Sequence, residues 1–222
     1  MRLRILSAGA AQGVVSALAV QHAYALEAQF GAVGAMQEKF DAGTPCDLIV
    51  LTRRQIDALR AAGRIGAVAD LGRVRTGVAV RTADPAPAIQ DRAALASALL
   101  AAPEIHHPDA TKATAGIHFA KVLAALDILQ PLAARLRPHP NGASAMRALA
   151  ASAAAGAIGC TQITEIRNTP GVALVGPLPP EFELATTYSA GLCSPDGDPR
   201  RFFELLTGDA SAALRGAAGF EF

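Results

Sequence analysis

Strand-like apolar runs alternate with helix-period stretches from one end of this chain to the other, and that alternation most limits its fold. Residues 2–8 read as a buried strand, and 12–22 as a helix with Val15, Leu18 and Ala19 on one face. Residues 24–30 alternate apolar and polar, 34–42 read as a short helix, and 46–52 ("CDLIVLT") as a strongly apolar strand. A helix over 53–62 follows, with Ile56 and Leu59 facing inward and Gly63 ending it. Strands this apolar need cover on both faces, so the order predicts an α/β fold with parallel or mixed sheets under helices.

The pattern restarts downstream. Residues 77–80 are strand-like, and the Pro-rich "RTADPAPA" interrupts them. A helix over 91–101, a strand over 104–107 and a helix over 114–126 follow, the last with Phe119, Leu123 and Leu126 in one stripe. An Ala-rich helix over 143–155 precedes a short strand over 157–161. After "VALVGPLPPEF", a strand-like run over 186–193 leads to a C-terminal helix from Pro199 that carries Phe202, Phe203, Leu205 and Leu206. Two such cycles in 222 residues predict two small lobes, 1–77 with 190–222 and 80–186. Extended crossings near 78–80 and 186–189 would join them, with a ligand cleft between. Aromatics make up only 5% of the chain and Trp is absent, so the cores must be Ala, Val, Leu and Ile.

Charge and cysteines narrow the partners. Lys and Arg total 20 against 19 Asp and Glu, with no basic block, so nucleic acid is not expected and a small ligand is. Cys46, Cys160 and Cys193 are far apart with no C-x-x-C pair, which argues against a zinc site or a disulfide framework. Cys46 and Cys193 lie in strand-like runs and read as buried thiols. No metal and no cofactor are expected: "SAGAAQG" is not GxGxxG, and no P-loop, HExxH or Ser-His-Asp order occurs. No apolar run reaches membrane-spanning length, so the protein is not expected to be membrane-embedded. The first residues lack the apolar core of a secretion signal. A native Met1 would make the protein cytoplasmic; removal of a leader would make it periplasmic.

Two turns of small residues stand out. "ILSAGAAQGVV" takes a strand through Gly9, Ala10 and Ala11 into a helix at Gln12. Small side chains there let a ligand approach the backbone, and the first helical amides lack intrahelical partners and suit an anion. Tight helix-on-sheet packing is the plain alternative. In "HHPDATKATAGIHFAKVL" the second turn, Thr114-Ala115-Gly116, also opens a helix, with Lys112 adding charge to the positive end of its dipole. Two ordinary caps are the plain alternative here. Facing each other across a cleft, the two turns would clamp an anion mainly with amides.

In "LRILSAGAAQGVVSALA", "AQFGAVGAMQEKFDAGTPCDLIVLT", "GRVRTGVAV", "HHPDATKATAGIHFAKVL" and "GAIGCTQITEI", in that order, the chain resembles the molybdate-binding-protein-like branch of the type II periplasmic solute-binding proteins. The resemblance covers most of the chain. It implies an α/β, two-lobed type II periplasmic-binding-protein-like fold with mixed sheets and an inter-lobe cleft. A small anion would lie in that cleft, and an ABC permease would be the partner. Ala10, Val33, Gly34 and Ala115, beside Gly116, fall at the family's anion contacts; the small-residue turn adds Gly9 and Ala11, and Gln12, Lys112, Thr114, Thr161 and Gln162 offer further polar groups.

The departures bear on the ligand. Molybdate binders carry serine where Ala10 stands, serines at Val33-Gly34, and a tyrosine after the late strand, where this chain has Cys160-Thr161-Gln162. Fewer hydroxyl donors, with a cation and amides in their place, suit a carboxylate at least as well as molybdate. A small branch of the same architecture includes aconitate isomerases, which move a proton on a tricarboxylate. Such chemistry needs an acid/base group beside pinned carboxylates. By type, His106, His107, His118, Glu165 and Lys112 qualify. His118, on the first turn of its helix, and Lys112 are the foremost, while Glu165 is expected to face solvent or pair with Arg167.

Overall fold

The computed structural model describes residues 2–222, which form two compact units. The first comprises residues up to Val74 together with Thr186–Phe222, and the second is Arg75–Ala185.

In the first unit β1 (Leu3–Ala8) lies between β2 (Leu26–Gly31) and β3 (Leu48–Thr52), parallel to both. The β-strand β4 (Val68–Arg81) contributes its first half here, and β9 (Ala185–Leu192) runs antiparallel to β3 with Val50 opposite Ala190. The order is β2-β1-β3-β9-β4. The helices α1 (Gln12–Gln21), α2 (Val33–Asp41) and α3 (Arg53–Ala61) each follow a parallel strand. Leu6, Met36, Phe40, Ile49, Leu51, Ile56 and Leu59 make one continuous core. Thr52 and Gln55 form a capping box that starts α3 at the end of β3.

The C-terminal segment holds two helices where the sequence pattern suggested one. Helix α9 (Asp198–Thr207) buries Phe202, Phe203 and Leu206, and α10 (Ala212–Ala218) follows a short turn at Gly208. Arg215 explains how that break stays dry. It is buried, and its guanidinium donates to the carbonyls of Leu71 (2.7 Å), Thr207 (3.2 Å) and Gly208 (2.8 Å). The Thr207 and Gly208 carbonyls would otherwise be orphans at a helix end, and the Leu71 carbonyl ties them to β4.

In the second unit the rest of β4 is flanked by β7 (Ile158–Gln162) and β8 (Val172–Pro177), both antiparallel to it. Beyond β7 come β5 (Ile105–Pro108) and β6 (Leu136–His139), parallel to each other, with β5 also parallel to β7. The helices are α4 (Arg92–Ala101), α5 (Thr114–Ala125), α6 (Leu129–Leu132), α7 (Gly142–Ala151) and α8 (Ile163–Arg167). One core holds Leu95, Leu99, Ile105, Phe119 and Leu123; another holds Ala79, Met146, Leu149 and Ile166. The stretches 78–80 and 186–189, read from sequence as crossings, lie inside β4 and β9.

Candidate functional site

Parallel strands followed by helices bring helix starts to one edge of each sheet. In the first unit Ala8 pairs with Gly31, so the ends of β1 and β2 are level. The chain then passes from β1 through a 3-10 turn, Gly9–Ala11, into α1, and from β2 through Ala32 into α2 at Val33. Gly9, Ala10 and Ala11 are buried, while Gln12, Val33 and Gly34 are partly exposed. The turn, α1 and α2 have no side-chain cap and no acidic residue in their first turns. Their amides are donors that no nearby side chain has claimed.

In the second unit β5 ends at Pro108 and Asp109 organises the loop. Its Oδ1 accepts from the amides of Thr111 (2.7 Å) and Lys112 (2.8 Å) and from the Thr111 hydroxyl (2.6 Å). Those bonds hold its carboxyl below the usual carboxylate range. Helix α5 then starts at Thr114, again without a side-chain cap or an acidic first turn. Ala115 and Gly116 are buried, Thr114 is partly exposed and Lys112 is exposed. A Cβ on Gly116 would collide with the carbonyl oxygens of Pro108 and Asp109, so this loop can lie on the helix start only if 116 is glycine.

The end of β7 differs from the sequence reading. Glu165 is buried, not solvent-facing. Thr161 donates to its Oε2 at 2.6 Å, and the amides of Ala143 and Gln162 donate to it as well. The carboxylate thus turns back onto amides at the starts of α7 and α8, which is why it points inward. Burial outweighs these bonds and pushes its pKa up. A Cβ on Gly142 would strike Glu165 and Thr161, which ties the start of α7 to the same place. Asn141 caps α7 by accepting from the Ser144 amide at 2.9 Å. Asn141 and Glu165 were missed as parts of this edge. The "NG" before an Ala-rich helix was the available signal for the first.

Thr161 and Gln162 are both buried at this edge. Thr76, opposite Gln162 across β4 and β7, and Thr164, in the first turn of α8, are buried with hydroxyls that have no partner within the protein. His118 sits on α5 with Nε2 2.7 Å from the Phe182 carbonyl. His106 lies between His139 (3.1 Å) and Glu104 (3.3 Å), and His107 bonds the Pro108 carbonyl at 2.9 Å. Burial lowers the pKa of both His106 and His107. An apolar hollow lined by Pro85, Pro87, Ala98, Pro103 and Ile158 lies toward the other end of β7, where that strand begins. Among the described residues no group of three or more His, Cys, Asp or Glu is placed to hold a metal, and no single helix is long and apolar enough to cross a membrane.

Helix starts gathered at the carboxyl ends of parallel strands, in each of two α/β units linked by long strands, define a type II periplasmic-binding-protein-like fold. The chain belongs to the bacterial extracellular solute-binding protein family, whose model matches residues 3–221. Its fold is similar to that of the periplasmic molybdate-binding protein of Azotobacter vinelandii, with 18% identity, a TM-score of 0.76, and 100% of this chain and 99% of the other covered. It is also similar to the sulfate-binding protein SubI of Mycobacterium tuberculosis, with 14% identity, a TM-score of 0.68, and 99% and 86% covered. Among curated proteins it is 27% identical over 168 residues to an aconitate isomerase of a Pseudomonas species, covering 73% of this chain and 61% of that relative.

Proposed function

We propose that this protein is an extracytoplasmic, periplasmic solute-binding protein that holds a small anion at its uncapped helix starts and delivers it to an ABC permease. One observation carries the reading: α1, α2 and α5 all begin without a side-chain cap and without an acidic residue in the first turn. Such a start favours an anion by roughly 0.3–1 kcal/mol when exposed and by more when partly buried. Gly9, Ala10, Ala11, Val33, Gly34, Ala115 and Gly116 contribute mainly amides, and Gln12, whose own amide bonds the Gly9 carbonyl, contributes its side chain. Lys112, Thr114 and Gln162 contribute side chains, and Thr161 helps shape the wall.

A carboxylate is favoured over molybdate. Ala10, Val33 and Gly34 carry no hydroxyl, and the Thr161 hydroxyl already donates to Glu165. Each lost hydrogen bond to a charged group is worth roughly 1.5–3 kcal/mol. A thermal-shift panel of molybdate, sulfate and di- and tricarboxylates tests the reading, since a ligand that binds only the folded state raises Tm. Carboxylates should raise Tm and molybdate should not. A panel without any shift sinks the anion reading, and submicromolar molybdate affinity by calorimetry overturns the carboxylate preference.

Lys112 is the one full positive charge assigned to the α5 start. Lys112→Met should weaken the best anion of that panel about tenfold, roughly 1.4 kcal/mol, while leaving the Tm of the empty protein nearly unchanged. Normal binding by the variant would return recognition to the amides alone.

A second reading, proton-transfer isomerisation of a small carboxylate, rests on the likeness to aconitate isomerase, of whose length the chain spans about three fifths. Lys112 and His118 would be its acid/base groups. Turnover of aconitate isomers followed by proton NMR separates the two readings, since a binding protein shows none.

A further inference from the structure

Cys46 and Cys193 stand 147 positions apart in sequence, yet their sulfurs lie 4.0 Å apart. Both residues are partly exposed and flank the same end of the β3–β9 pair, one just before β3 and one just after β9. The backbone already clamps them together. The Cys193 amide donates to the Asp47 carbonyl at 2.9 Å, and Leu48 stands opposite Leu192 in the strand register. A disulfide needs the Cα atoms roughly 4.4–6.8 Å apart, and the sulfurs here already lie within one short movement of bonding. The sequence reading of Cys46 and Cys193 as buried thiols is corrected: both are free thiols that are partly exposed.

We propose that Cys46 and Cys193 are an oxidation site that closes to an intrachain disulfide when a small-molecule disulfide reaches it. The Cys193 thiol donates to the Cys46 sulfur, and the Cys46 thiol donates in turn to the Leu48 carbonyl at 2.8 Å. The Cys193 thiol and the Leu6 amide favour the Cys46 thiolate against the burial that opposes it, whereas the neighbouring Cys46 sulfur and burial hold the Cys193 thiol upward. Cys46 is therefore the attacking group. Its thiolate bonds to one sulfur of oxidised glutathione and expels the other as glutathione thiolate. Cys193 then loses its proton to solvent and attacks Cys46 Sγ, which releases the second glutathione. Two protein thiols and one glutathione disulfide become one protein disulfide and two glutathione thiols. Cys160 takes no part, because it is fully buried on β7 in the second unit.

The bond would join the strand that leads into α3 to the segment that leads into α9, at the end of the sheet away from the starts of α1 and α2. It should act on stability and leave anion binding alone. The test treats the full chain with oxidised glutathione at mildly alkaline pH and then titrates thiols under denaturing conditions. Three thiols per chain should fall to one, intact mass should drop by two hydrogens, and a non-reducing peptide map should join the peptides of Cys46 and Cys193. Closing so long a loop should raise Tm by about 5 °C or more, reversibly with dithiothreitol. Cys46→Ser and Cys193→Ser should each abolish the gain. Persistence of three thiols, stable glutathione adducts, or disulfide-linked dimers would each overturn the proposal.

Discussion

The two units build the same kind of edge and finish it differently. In the unit that holds both termini, α1 and α2 start bare, with small buried residues in front of them and no side chain on their amides. In the other unit, Glu165 takes amides at the starts of α7 and α8, Asn141 takes one from α7, and Asp109 takes two from the loop before α5. Of the three helices of ten or more residues there, α4, α5 and α7, only α5 starts without a side-chain cap. A helix start occupied by the protein's own carboxylate is structure, and an unoccupied one is available to a ligand. The contrast separates the two among turns that look alike in sequence.

The contrast concerns edges, so the cores should be equivalent. Phe119→Ala in one unit and Phe202→Ala in the other remove fully buried rings and should each cost about 3–5 kcal/mol in urea denaturation. A cost for one ring under half that of the other would mean that the units differ in packing as well.

Gly116→Ala probes the uncapped start of the second unit. The added methyl meets two backbone carbonyls that cannot swing aside, so the cost should be roughly 1–3 kcal/mol, with anion affinity lost in parallel. Gly142→Ala meets the side chains of Glu165 and Thr161, which can move, and should cost less. Equal costs measured by chemical denaturation would erase the distinction between a rigid start and one plugged by a side chain.

The smallest effect should come from Glu165→Gln, and its sign depends on pH. Burial raises the folded pKa of Glu165 above its unfolded value, so its neutral form adds stability that is complete below the unfolded pKa. That contribution is lost as pH rises through the folded pKa. Measured from pH 4 to pH 8, the stability of the variant relative to wild type should therefore increase. A difference that shrinks with pH would mean that the Thr161 and amide hydrogen bonds dominate and that Glu165 is a stabilised anion.

Much of the first unit was legible because its signals are strong. β3 is four aliphatic residues ending at a threonine, and α3 follows with a capping box, so the helix was read to within a residue of its end. The long β4 was read only over 77–80. Gly72, in a left-handed conformation at φ 128°, and the charged Arg73 and Arg75 hide the earlier half, whose pairing comes from β9 and not from its own apolar pattern. β6 contains a proline and is only partly buried, and α6 and α8 have four and five residues, too few to show a helical period. Around the candidate site the small-residue turns could be read directly. Glu165 could not, because a lone acid on a short helix ordinarily faces water and only the meeting of two helix starts turns it inward.

The antiparallel seam between β3 and β9 also sets an order of assembly during synthesis. Residues 75–185 form one unbroken stretch and can fold as soon as they have left the ribosome. β3 must wait with one edge unpaired until Ala185–Leu192 arrives, and Arg215 seals the break between α9 and α10 only later still. During that interval the nascent protein carries a finished middle and an open aliphatic strand edge near its beginning, the kind of surface that a chaperone recognises.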